Sequence, residues 1–240
     1  MSGFPTTRRS VLLAARSDDD GERRRAYGAI VAVYWKPAYA YVRWHWKRPP
    51  EDARDLVQGF FAAAYEKGFL ERYDPARARF RTWLRVCLDG HVSNHRQAES
   101  RAKRGGGEPL LSLDFEGAEA GLADRSASGL DPEALFEREW VRSLFEDAIA
   151  ALRARCEAED KTAHLRVFMR YDIEDHPQGQ APSYADLARE LDLPVTQITN
   201  HLHWTRRVFR GLVLDRLREL TVDEAEFRSE ARRLLGRETP

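Results

Sequence analysis

The sequence predicts an all-α protein built from two helical modules joined by a Gly-rich acidic linker, the second module containing a helix-turn-helix. Three observations lead there. Apolar residues recur at three- and four-residue spacing along most of the chain, strand-like alternation is rare, and glycine and proline concentrate in a few short stretches. The spacing predicts helices over residues 22–46, with Pro37 as a point of bending, and over 51–67, 79–102, 132–157, 162–171, 183–191, 195–218 and 223–235. Residues 1–104 form the first module. Residues 105–131, opening on Gly105-Gly106-Gly107 and carrying Pro109, Gly117, Gly121 and Gly129, have weak periodicity and read as the linker. Residues 132–220 form the second module, and 221–240 a C-terminal helical extension, where Thr221 followed by Glu224 reads as a capping box and Phe227, Ala231, Leu234 and Leu235 make an apolar face.

Composition excludes several functions. The chain has 240 residues, 42% hydrophobic, with 39 basic and 39 acidic side chains, enough for one or two folded domains. No apolar run is long enough to span a bilayer and the mean hydropathy is −0.61, so no membrane role is expected. Cys87 and Cys156 stand alone, without ligand-spaced companions, and read as buried thiols of a protein in a reducing cytoplasm. The zero formal charge conceals segregation. Residues 72–104 hold nine basic and three acidic residues, a net charge of +6, whereas 108–160 hold five and fourteen, a net −9. A basic segment, an acidic middle and a second basic segment suit a protein that meets nucleic acid at two places.

The stretch from Ser183 to Arg210 carries the clearest chemistry. Leu187, Ala188 and Leu191 share one face of a short helix that Ser183 and Asp186 cap, and Asp192-Leu193-Pro194 ends it. The next helix places Ile198, Leu202, Phe209 and Leu212 on its apolar stripe. Gln197, Thr199, Asn200, His203, Arg206, Arg207 and Arg210 point elsewhere. From Val195 to Arg210 there is no Asp or Glu, although charged residues make up 32% of the chain, and a merely solvated face would mix both signs. Amides, hydroxyls and arginines are the groups that read base edges and grip phosphate. The plainer alternative is an ordinary helical hairpin with a wet polar face.

In the first module, Asp55-Leu56-Val57-Gln58-Gly59-Phe60-Phe61 lies on a helix opened by Pro50-Glu51-Asp52. Tyr73-Asp74-Pro75 makes a turn, and Phe80-Arg81-Thr82-Trp83-Leu84-Arg85 starts a basic helix running to Asn94-His95-Arg96. These segments, in this order and spacing, resemble the extracytoplasmic-function group of bacterial sigma-70 family factors, whose first domain carries D-L-x-Q-x-x-F, a D-P turn and F-R-x-W-L. Ser183-Tyr184-Ala185-Asp186-Leu187-Ala188 through Leu191, with Ile198 and Arg206-Arg207, is similar to the family's promoter-binding C-terminal domain. Gly59 stands where the family usually has Glu, Asp192 where a turn Gly is common, and Pro194 where Ser is frequent.

The resemblance implies docking on core RNA polymerase through Asp55 and Gln58, one helical turn apart, with Leu56 and Phe61 supporting that face. It implies minus-ten recognition through Arg81, Arg85, His91, Asn94, His95 and Arg96, with Asn94 as the foremost base reader. For the minus-35 element it implies Thr196, Gln197, Thr199, Asn200, His203, Arg206 and Arg207. The partners so implied are core polymerase and promoter DNA, with an anti-sigma factor, a regulatory kinase or the C-terminal extension as alternative restraints. No P-loop or catalytic constellation occurs, so no enzymatic activity, cofactor or metal is expected. His91 and His95 lie one turn apart without a third ligand nearby. Phe80, Trp83 and the aromatic run from Tyr34 to Trp46 read as core. Two other functions compete: a free-standing helix-turn-helix regulator, which would need a dimer and symmetric half-sites, and a helical adaptor whose DNA-like motif is vestigial.

Overall fold

A computed structural model describes residues 10–99, 113–123, 131–174, 176 and 181–236, the side chains of 96–99 and 123 excepted. The described residues contain helices and no strand, so the all-α class stands. In chain order the helices are α1 (Val11–Ala14), α2 (Asp20–Trp44), α3 (Pro50–Glu66), α4 (Phe80–Glu99), α5 (Phe115–Ala123), α6 (Pro132–Ala158), α7 (Thr162–Phe168), α8 (Tyr184–Leu191), α9 (Val195–Glu219) and α10 (Glu224–Leu235). A 3₁₀ turn at Phe69–Arg72 and a π-helical turn at Met169–Ile173 complete them.

The chain divides into two compact units whose boundaries differ from the sequence modules. One comprises residues 1–143 together with 217–240, the other residues 144–216. The first unit takes in α5, the start of α6 and α10, so the compact units are drawn differently from modules ending at 104 and starting at 132. The cause is apolar demand. Phe136 meets the buried ring of Tyr41 edge-on at 5.8 Å, Trp140 is buried, and the Ser143 hydroxyl donates to the Val33 carbonyl at 3.1 Å.

Within the first unit α2 supplies the central face, packing against α1, α3 and α5, while α3 packs on α4. Tyr34, Trp35, Tyr39 and Tyr41 are all buried there, so most of the aromatic run is core, whereas Trp44 and Trp46 at its end are partly exposed. The helix runs through Pro37. Asp19 caps it by accepting from the Glu22 amide at 2.6 Å, satisfying one of the donors a helix start leaves open.

Helix α5 corrects the reading of 105–131 as linker throughout. Phe115 packs edge-on against Trp35 and Tyr39 at 5.1 and 5.2 Å, and Glu119 forks onto Arg43 and accepts from the Tyr39 hydroxyl. Asp114 caps the helix through the Gly117 amide at 2.9 Å. A Cβ at position 117 would come within 2.3 Å of that capping carboxylate, so a larger residue there would make the Asp114 side chain shift. The Gly105-Gly106-Gly107 run lies outside the described residues.

In the second unit, Leu152, Cys156, Leu165, Phe168 and Val208 form one buried cluster, and Val167, Leu187, Ile198 and Leu202 another. Ser183 caps α8 through the Asp186 amide at 3.1 Å. Asp192 ends it in a left-handed conformation, φ 53° and ψ 48°, which short polar side chains tolerate. Pro194 accepts from the amides of Gln197 and Ile198 as α9 begins. At the tail, the sequence-level capping box shifts by two residues. Asp223 caps α10, accepting from the Glu226 amide, whereas the Thr221 hydroxyl donates back to the carbonyls of Leu217 and Arg218.

One feature of this unit was not marked in the sequence. The rings of His164 and His201 lie 3.7 Å apart, with Trp204 beside His164 and the Lys161 ammonium over Trp204. Burial holds both imidazoles below their usual pKa, and for His164 the neighbouring His201 and Lys161 add to the effect. A folded pKa below the unfolded one, about 6.5 for histidine, gives stability that is present above that value and lost as pH falls through the folded pKa. The urea midpoint of this unit is expected to drop between pH 7.5 and 5.5, and His164→Gln to flatten that drop. An equal drop in the variant would assign the acid sensitivity elsewhere.

Candidate nucleic-acid and polymerase interface

Helix α3 starts with Pro50 in its first turn, where a missing donor costs nothing, and with Glu51 and Asp52 favourably placed at the positive end of the helix dipole. Its apolar stripe, Ala53, Leu56, Val57, Phe60, Phe61 and Ala64, is buried. That registration turns Asp55 outward and leaves Gln58 half-exposed, one turn apart on one face. Leu56 and Phe61 are each only 3% exposed: they hold the face from beneath and offer no surface to a partner. Gly59 faces the ring of His91, whose Nε2 would lie 3.7 Å from an added Cβ, an ordinary contact distance.

Helix α4 buries Phe80, Leu84, Leu88 and Val92, and the sequence-indicated DNA residues divide along it. Arg81 is only 5% exposed. Its Nε and Nη2 donate to Glu137 at 3.0 and 3.1 Å and its guanidinium lies 4.5 Å from the Trp140 ring centroid. Arg85 is largely buried and donates to Asp89 at 2.9 Å, while Asp89 also accepts from the Tyr41 hydroxyl and the Trp46 indole. Neither arginine is presented to DNA in this conformation, because Arg81 is held by Glu137 and Glu230 and Arg85 by Asp89, one turn along the same helix. His91 is half-buried against Phe60, and burial lowers its pKa, so it offers a neutral imidazole rather than a cation. Asn94 and His95 are exposed, and the side chain of Arg96 lies outside the described residues.

The second candidate surface lies on α9. Ile198 and Leu202 point into the Val167–Leu187 cluster, and the helical period then exposes Thr196, Gln197, Thr199, Asn200, His203, Arg206 and Arg207 together. The Thr199 hydroxyl donates back to the Val195 carbonyl at 3.2 Å, leaving its methyl and oxygen lone pairs outward. Arg206 is not free-swinging: Nε and Nη2 donate to Asp172 at 2.9 and 2.8 Å, and its guanidinium lies 5.3 Å from the Tyr171 ring. This pairing, with the Tyr184 hydroxyl nearby, keeps Arg206 firmly charged. Asp172 was missed in the sequence because a partner 34 residues away leaves no spacing signal.

Among the described residues, no group of three or more His, Cys, Asp or Glu is placed to hold a metal ion, and no helix is long and apolar enough to cross a membrane. Amide, hydroxyl and arginine side chains on one exposed helix face are the groups that hydrogen-bond base edges and phosphate. Residues 31–102 match the family model for Sigma-70 region 2. The match spans α3, α4 and the second half of α2, and takes in under a third of the chain. No curated protein matches the chain.

Proposed function

We propose that this protein is a sigma factor of the extracytoplasmic-function group, acting in the cytoplasm as a promoter-specificity subunit without catalytic activity of its own. The single observation that carries the reading is the coincidence of the region 2 match with an α3 whose buried stripe leaves Asp55 and Gln58 outward. In this reading α3 docks on core polymerase. The exposed Asn94 and His95 meet the minus-ten element once its strands part, where unstacked bases present hydrogen-bonding edges. Thr196, Gln197, Thr199, Asn200 and His203 on α9, entered through the turn at Asp192–Pro194, read the minus-35 element in the major groove, with Arg206 and Arg207 gripping flanking phosphate.

Purified protein added to sigma-free core polymerase with a pool of promoter fragments is expected to give discrete transcript starts that share an upstream motif. Asp55→Ala with Gln58→Ala should lower polymerase affinity about thirtyfold or more, the scale of an interface hot spot, without changing thermal stability, since Asp55 is exposed and Gln58 contributes no buried stripe. A free-standing regulator would be indifferent to the pair. On promoter duplex, Asn200→Ala is expected to cost about 1–3 kcal/mol of discrimination at one base position, while Arg206→Ala weakens all sequences alike. Competition binding over a base-substituted duplex set separates the two, and equal affinity for every duplex would remove specific readout.

A further inference from the structure

In the first unit, α10 is held against the start of α4 largely through charge. Phe227 and Ala231 are its buried apolar side chains, and Glu230 beside them is only 2% exposed. Glu230 Oε1 lies 3.0 Å from Arg79 Nε, and Oε2 lies 2.8 Å from Arg81 Nη1. Charge pairing with the two arginines holds the carboxylate. Glu137 of α6 takes the other edge of Arg81 and meets Arg233 of α10 at 3.0 Å. The Arg79 side chain remains 41% exposed.

One carboxylate spread over two arginines occupies the place that two oxygens of a phosphate would take, since guanidinium groups recognise both anions by the same charge-assisted geometry. The surrounding sequence, +6 over residues 72–104, favours a polyanion. Buried ion pairs add little net stability compared with apolar packing, so a seam closed in this way yields to a competing anion more readily than one closed by a broad apolar face.

We propose that Arg79 and the Nη1 edge of Arg81 form a phosphate-binding surface for a DNA backbone, closed in the free protein by Glu230, so that α10 lowers DNA affinity until it is displaced. Naming that DNA as promoter DNA rests on the function proposed above; the electrostatic occlusion does not.

The test measures fluorescence anisotropy of a labelled mixed-sequence single-stranded 20-mer with the full chain over a series of KCl concentrations. Glu230→Gln keeps the side-chain volume and removes the charge. It is expected to tighten binding severalfold at low salt and to steepen log Kobs against log[KCl] by about 0.7 for each arginine freed. Phe227→Ala, which loosens α10 while leaving every carboxylate in place, should shift the slope in the same direction. Adding Arg79→Ala to Glu230→Gln should return the slope toward wild type. An unchanged slope in both single variants, or a steepening that survives Arg79→Ala, overturns the proposal. Weaker binding with a lowered melting temperature does so too, because it marks Glu230 as structural only. A parallel pull-down with core polymerase keeps the two levels apart. Failure of the wild-type chain to bind polymerase removes the sigma reading, whereas a silent salt slope in a polymerase-binding protein removes this inference alone.

Discussion

Replacing Arg81 by alanine is expected to destabilise the first unit by about 3–5 kcal/mol, the range found when one member of a buried ion pair is deleted and the other is left behind. Arg81 faces two carboxylates, Glu137 and Glu230, and the side chain of Glu230 is 3% exposed. Its guanidinium also covers the Trp140 ring, so truncation removes packing together with charge. Equilibrium urea unfolding followed by far-UV circular dichroism measures the loss. A cost under about 1 kcal/mol would show that Arg79 and Arg233 absorb both carboxylates without help.

Leu187→Ala should have the second large effect, about 2–5 kcal/mol, concentrated in the second unit. Leu187 is fully buried among Val167, Ile198 and Leu202 and is the one buried side chain of α8. Deleting its branch leaves a cavity between α8 and α9, and the cost depends on how far the two short stretches can collapse. Hydrogen exchange should show lost protection over residues 184–202 with the first unit unaffected. Uniform loss across both units would contradict the division of the chain into separate cores.

The helices were legible in the sequence where their faces are amphipathic and their ends capped. Ser183 with Asp186, the apolar stripe of α3 and the Ile198–Leu202 stripe of α9 all fall where the spacing put them. What the sequence did not show follows from long-range demand. Nothing local marks Phe115 and Glu119 as the anchors of α5 against Trp35, Tyr39 and Arg43, because the helix is nine residues long and carries two glycines, Gly117 and Gly121, within it. The same holds for the exposed or buried state of arginines. Arg81 and Arg206 look equivalent as basic residues on helices, and only Glu137 and Asp172, brought near by folding, distinguish a core cation from a surface one; Arg85 differs in that its partner Asp89 lies four residues along the same helix. Leu56 and Phe61 belong with α3's buried stripe, a consequence of the same periodicity that exposes Asp55.

The docking of α5 also bears on how the protein can be cut into workable pieces. A fragment ending at residue 104 would retain Trp35 and Tyr39 yet lack Phe115 and Glu119, Phe136 and Trp140, and the C-terminal helix with its carboxylates. Such a fragment would expose an aromatic face and strand Arg81 without a counter-ion, a composition prone to self-association. The smallest self-sufficient piece is therefore discontinuous along the chain, and a soluble version of it calls for joining residue 143 to residue 217 by a new loop rather than stopping early.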